Sequence, residues 1–212
     1  MGKIFPDMMG ALIGSVGKVS YYMRYSDNIA RRKGEERKVS DSPAAVEQRA
    51  KFGAVAHLSR MLRPAVGIGF PQRKRRLSPR NAFHQLNKDA CSVEEKVIVV
   101  DYERVMCANG GLMVPEVTVT YNAATGKFLF EQESEGEDEG CNASDQVYAV
   151  LLERSLEVSR LVKLRARGES GSTSAVLPKR WNRDEVVVYV FAVSDDGKEA
   201  SKSLYMEVEA GN

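Results

Sequence analysis

The sequence predicts a mainly β chain: an antiparallel sandwich preceded by a basic extended arm and two short-to-medium α-helices. Three observations carry this expectation. Between residues 42 and 91, apolar residues recur at three- and four-residue steps, the period of a helix face. Beyond residue 92 the period falls to two, in short β-branched and aromatic runs separated by Gly, Asn and Asp. Residues 1–41 are broken by glycines and end in a charge run. Many short strands with frequent turns favour a sandwich. The expected divisions are an extended basic arm at 1–41, a helical segment at 42–91 and the sandwich at 92–212.

In the arm, Gly2, Gly10, Gly14 and Gly17 each weaken a regular element through their backbone entropy. Val19, Tyr21 and Met23 alternate, which predicts one short strand at 18–25. The run from Arg31 to Lys38 buries nothing, so the arm is expected to lack a fold of its own.

Ser42-Pro43 marks a helix start, because serine caps the free N–H groups and proline in the first turn sacrifices no hydrogen bond. Phe52, Val55, Leu58, Leu62 and Val66 then form one apolar face, and Pro64 is expected to end or kink the helix near residue 62. Ser78-Pro79 repeats the start signal ahead of Ala82, Phe83 and Leu86.

Val97 to Val100 is a β-branched strand run. Val117, Val119 and Tyr121, the turn residues 122–126, and Phe128 and Phe130 together predict a hairpin. Further strands are expected at 146–152, 156–161, 162–167, 173–177, 186–193 and 204–208, with turns at 168–171 and 195–197.

This strand order over residues 115–209 resembles a fibronectin type III or immunoglobulin-like sandwich. The stretch from Tyr189 to Ser203 is similar to its last hairpin: an aromatic, an alternating strand, a glycine turn and a serine-rich return. The tryptophan usual on the second strand is absent, with Phe128 or Phe130 in its place, and Trp181 precedes the penultimate strand. The whole chain also resembles a domain-of-unknown-function family common in Bacteroidetes. The resemblance rests on Gly14-Ser15-Val16-Gly17-Lys18-Val19, Glu47-Gln48-Arg49-Ala50-Lys51-Phe52, Gly69-Phe70, Val188-Tyr189-Val190-Phe191 and Ser201-Lys202-Ser203-Leu204-Tyr205. That family implies an architecture and no activity.

The net charge of +2 averages two unlike halves. Residues 1–89 carry 18 Lys and Arg against 7 Asp and Glu; residues 90–212 carry 13 against 22. The field of the basic half favours a polyanion or an acidic protein surface as partner, and the alternative is neutralisation within the molecule. The candidate contact residues are Arg31, Arg32, Lys33, Arg37 and Lys38 in the arm, and Arg73, Lys74, Arg75 and Arg76 between the helices. These meet nucleic-acid phosphates, an acidic protein or solvent alone; Tyr21, Tyr22 and Tyr25 offer stacking surfaces near Arg24. A second copy is a further candidate partner, its acidic sandwich receiving the basic arm head to tail.

Catalytic motifs fail in detail. Only two residues separate Gly14 from Gly17, and Val19 follows Lys18 where a phosphate loop needs Ser or Thr. Gly168-Glu169-Ser170-Gly171-Ser172 lacks the last glycine and the following helix of a nucleophile elbow. Cys91, Cys107 and Cys141 have no metal-finger spacing, and the carboxylates of Glu131 to Glu139 lack the pattern of a calcium hand, reading instead as a solvated, mobile loop. His57 and His84 fall on the predicted helices. No cofactor is expected, and the leading expectation is a non-enzymatic binding or assembly protein, with a small enzyme of unrecognised site as the remaining alternative. No apolar stretch reaches the ~18–20 residues of a membrane span, so no membrane partner is expected. The odd cysteine count and the poor, glycine-broken leader at Met8 to Gly14 favour a reducing, cytoplasmic location over secretion.

Overall fold

The computed structural model describes residues 2–4, 10–34, 40–94, 97–136 and 138–211, which divide into two units, Met1–Ala45 and Val46–Asn212. The first unit holds β1 (Gly2–Ile4), β2 (Gly14–Val16), β3 (Val19–Arg24) and β4 (Asp27–Arg32), an antiparallel sheet in the order β1-β4-β3-β2. Two-residue turns join β2 to β3 and β3 to β4, with φ +54° at Gly17 and +57° at Tyr25, the positive values that suit strand twist in tight hairpins. Asn28 and Ile29 are buried, and Lys3 pairs with Asp27 at 3.0 Å. The strand predicted at 18–25 is present, but it is the centre of a sheet rather than part of an unfolded arm. β4 carries a single strand-type residue, Ile29, so its identity comes from pairing with β3 and not from its own pattern.

Helices α1 (Pro43–Met61), α2 (Arg63–Ile68) and α3 (Pro79–Leu86) follow. Pro64 divides α1 from α2 as its missing N–H requires, but the helix resumes at once: Leu62 N donates to Leu58 O and Val66 N to Leu62 O, both at 2.9 Å. Three helices therefore stand where two were expected. Ser78 caps α3, its Oγ accepting from Asn81 N at 3.2 Å. Val55, Leu58, Leu62 and Val66 are buried as their spacing predicts; Phe52 is 62% exposed and packs against the His84 ring in a tilted pair, centroids 4.1 Å apart, instead.

A small hairpin, β5 (Cys91–Glu94) and β6 (Val97–Val100), leads into eight strands: β7 (Val117–Asn122), β8 (Lys127–Gln132), β9 (Gln146–Glu153), β10 (Val158–Ala166), β11 (Gly171–Val176), β12 (Val186–Val193), β13 (Leu204–Met206) and β14 (Glu209–Gly211). They form two sheets, β10-β9-β12-β13 and β11-β8-β7-β14, antiparallel throughout except where β14 runs parallel to β7. The predicted mainly β, antiparallel sandwich is present.

All eight residues of β12 are buried, because its sheet is covered on both faces. Val187, Tyr189, Phe191 and Val193 pack with Leu58, Leu62, Ala65 and Phe83 of the helices. Val186, Val188, Val190 and Ala192 pack with Val119, Phe128 and Phe130 of the other sheet. β9 divides likewise, Val150 and Leu152 toward the helices and Val147, Ala149 and Leu151 toward the sandwich interior. Each Val, Leu or Phe side chain among them contributes about 1.5–3 kcal/mol of burial, so the helices form an integral third layer. They cannot be removed without exposing a sheet face.

The carboxylate loop after β8 is pinned rather than merely solvated. Arg167 is fully buried; its Nη1 donates to Glu135 Oε2 at 2.6 Å, its Nη2 to Met113 O at 2.5 Å, and Asp145 lies 3.7 Å from its Nε. Glu135 also accepts from Glu116 N at 2.9 Å.

Candidate functional site

The helical layer is the cationic face of the second unit. Residues 42–91 hold ten Lys and Arg against Glu47 and Asp89 alone, a net of +8. Those two acids already face Lys51 at 2.7 Å and Lys88 at 3.8 Å. The rest of the second unit is net acidic, since residues 92–212 keep 13 Lys and Arg against 22 Asp and Glu.

Arg73, Lys74, Arg75 and Arg76 occupy the loop from α2 to α3, and all four are exposed. They do not play one part. Arg73 Nη1 donates to Phe70 O and its Nε to Leu77 O, both at 2.8 Å, so its guanidinium closes the loop on itself. Arg76 sits at φ +69°, which turns the chain toward Ser78 and α3. The side chains of Lys74 and Arg75 have no hydrogen bond or ion pair among the described residues. Arg73 thus shapes the loop that presents its three neighbours.

In the first unit, Arg31 and Arg32 are the last two residues of β4, and Lys33 follows with its N–H on Lys18 O at 2.7 Å; all three side chains are exposed. Arg37 and Lys38 lie outside the described residues. Tyr25 is exposed at the β3–β4 turn, whereas Tyr21 and Tyr22 are half-buried within β3.

Three further arginines, absent from the sequence candidates, line a groove of about 500 Å³ between α1, α2 and the start of α3: Arg60, Arg63 and Arg80, with Ser59, Val66 and Ser78. Arg80 Nε donates to the buried Ser59 Oγ at 3.1 Å, tying α3 to α1. A polar helix face at Arg60 was legible; the convergence of Arg63 and Arg80 on it depends on a contact 21 residues apart in the chain.

Elsewhere His57 Nε2 lies 2.9 Å from Glu157 Oε2, joining α1 to the β9–β10 turn. Both side chains are about half exposed, on a groove of about 310 Å³ otherwise lined by apolar groups, Tyr102 and Arg154. Arg154 is held by Glu185 at 3.2 Å and lies over the Tyr102 ring, while burial, first of all, raises the Tyr102 hydroxyl above its ordinary range. His84 faces Phe52 O at 3.2 Å. The three cysteines are free and buried, and desolvation pushes the Cys107 thiol up to about 12. Among the described residues, no group of three His, Cys, Asp or Glu is placed to hold a metal ion, and no helix is long and apolar enough to cross a membrane.

A second face carries the opposite charge. A groove of about 990 Å³ beside β7 and β8 is lined by Glu116, Glu131 and Glu133, with Val114, Pro115 and Leu204.

The profile of a family described as being of unknown function, DUF6266, matches residues 4–207. Neither a curated protein nor a solved structure matches the chain.

Proposed function

The chain belongs to the family of unknown function DUF6266, which brings no activity with it, and from its surface chemistry we propose that it is a non-enzymatic binding protein that engages nucleic acid through the phosphates. The observation that carries this reading is the helical layer: net +8, with Lys74, Arg75 and Arg76 presented on a loop shaped by Arg73. Contacts of this kind release counterions and bind without reading sequence, and the Arg31–Lys33 segment of the first unit adds a further cationic element. The test is a gel shift at low salt. Lys74→Glu/Arg75→Glu/Arg76→Glu should abolish retention of DNA or RNA, and unchanged retention would reject the reading.

The acidic groove supports a second reading, head-to-tail assembly in which the basic segment of one copy docks beside Glu116, Glu131 and Glu133 of another. Sedimentation that finds a salt-independent monomer would eliminate it.

We read the sandwich as immunoglobulin-like, of the fibronectin type III kind. The first, second and fifth of its strands share one sheet and the third, fourth, sixth and seventh the other, and Phe128 and Phe130 fill the core in place of the missing tryptophan. Three free, buried cysteines support residence in the reducing cytoplasm. The motif resemblance supports a home in Bacteroidetes.

A further inference from the structure

We propose that the groove bounded by Arg60, Arg63 and Arg80 is a seat for one backbone phosphate of a bound nucleic acid, with Arg63 as its principal ligand. The inference rests on the nucleic-acid reading above and adds a site to it.

The hydrogen bonds of the groove are unbalanced. The Ala56 carbonyl accepts Ser59 Oγ at 2.8 Å and is also approached by Arg60 Nε and Arg80 Nη2, both at 3.5 Å. One carbonyl cannot serve three donors well, and two of these contacts are at the limit of a hydrogen bond. Arg63, the first residue of α2, has no side-chain hydrogen bond or ion pair among the described residues. Ser78 Oγ accepts from Asn81 N at 3.2 Å, which leaves its hydroxyl proton to donate outward. Among the described residues that line the groove there is no carboxylate. Arg60, Arg63, Arg80 and Ser78 therefore line a space of about 500 Å³ that holds no carboxylate among its described lining residues.

A phosphate supplies an anionic acceptor. Its oxygens match the guanidinium fork, and charge-assisted bonds would replace the long contacts to Ala56 O. Arg80 is already braced by Ser59, so its donors need little further ordering. Val66 and Pro79 give the groove an apolar wall against which a sugar can lie. A polymer of phosphates is favoured over a singly phosphorylated peptide because the loop entering Ser78 carries the exposed cations Lys74 and Arg75, which a single phosphate in the groove would leave unmatched.

The test uses the full chain and a labelled 20-nucleotide single-stranded DNA, followed by fluorescence anisotropy over a range of salt. Arg63→Gln should weaken binding about tenfold and flatten the plot of log affinity against log salt by about 0.7, one phosphate contact. Its unfolding should coincide with that of the unsubstituted chain, since Arg63 is exposed and its side chain has no hydrogen bond or ion pair among the described residues. Lys88→Gln, the same charge change outside the groove, should have a much smaller effect. Equal losses from Arg63→Gln and Lys88→Gln would overturn the seat, because charge alone would then account for both. No loss from Arg63→Gln while Lys74→Glu/Arg75→Glu/Arg76→Glu releases the DNA would overturn the seat and leave the nucleic-acid reading standing. A chain that never binds the DNA overturns both. A phosphoserine peptide that binds more tightly than the DNA, and is lost with Arg63→Gln, would transfer the seat to a protein partner and overturn the assignment made here.

Discussion

Replacing Arg167 with methionine should destabilise the second unit more than any surface change. The side chain is wholly buried at the end of β10, bonded to Glu135 at 2.6 Å and Met113 O at 2.5 Å, with Cys141 Sγ at 3.4 Å and the buried Asp145 at 3.7 Å. Methionine keeps much of the volume, so the loss is mainly electrostatic. Glu135 and Asp145 remain while their cation is gone, and breaking a buried pair from one side costs about 3–5 kcal/mol. Against a typical ~5–15 kcal/mol for a domain, that is a large fraction. With a urea slope of about 2 kcal/mol/M, the midpoint should fall by roughly 1.5–2.5 M. Trp181, the single tryptophan, packs against the core between the sheets, so its fluorescence reports this unit. A fall of less than about 0.5 M would refute the claim that Arg167 anchors the acidic loop.

Three other outcomes follow from the same packing. Phe83→Ala should cost about 3–5 kcal/mol and lower the Trp181 transition, because α3 shares its core with β12; a separate helical transition would contradict the third layer. Burial raises the buried Glu153 carboxyl, but bonds from Ser155, the Leu156 N–H and Asn182 outweigh it and hold the carboxyl below its usual 4.5, so its stabilisation is present above that value and is lost as pH falls through the folded one. Urea midpoints between pH 7 and pH 3 should therefore fall more steeply for the unsubstituted chain than for Glu153→Gln, and parallel curves would refute this. The thiols of Cys91, Cys107 and Cys141 are buried and raised by desolvation, so iodoacetamide at pH 8 should leave the folded chain unlabelled and label all three after unfolding; fast labelling of the folded chain would count against the packing.

The parts of the fold legible in the sequence are those fixed by local chemistry. Ser42-Pro43 and Ser78-Pro79 mark helices that start at Pro43 and Pro79, and the alternation at Val117–Tyr121 and Phe128–Phe130 becomes β7 and β8. What was hidden depends on contacts distant in the chain. The unbroken apolar run of β12 records a sheet covered on both faces, and nothing in the run itself says that helices supply the second cover. Arg167 reads as the last residue of an expected strand at 162–167, and nothing near it in the chain says that it is buried until Glu135, 32 positions earlier, is found beside it. The candidate site divides in the same way. A dense cationic run is visible as a run, but the commitment of Arg73 to Phe70 O and Leu77 O is not, nor is the groove that Arg63 and Arg80 line together.

The most direct test of the cationic helical layer is a salt titration of the intact chain against unmodified single-stranded DNA. If Lys74, Arg75 and Arg76 alone each neutralise a phosphate, log affinity should fall against log salt with a slope of about −2 or steeper. Binding that is absent at about 50 mM salt, or indifferent to salt up to about 200 mM, would contradict a phosphate-directed interface.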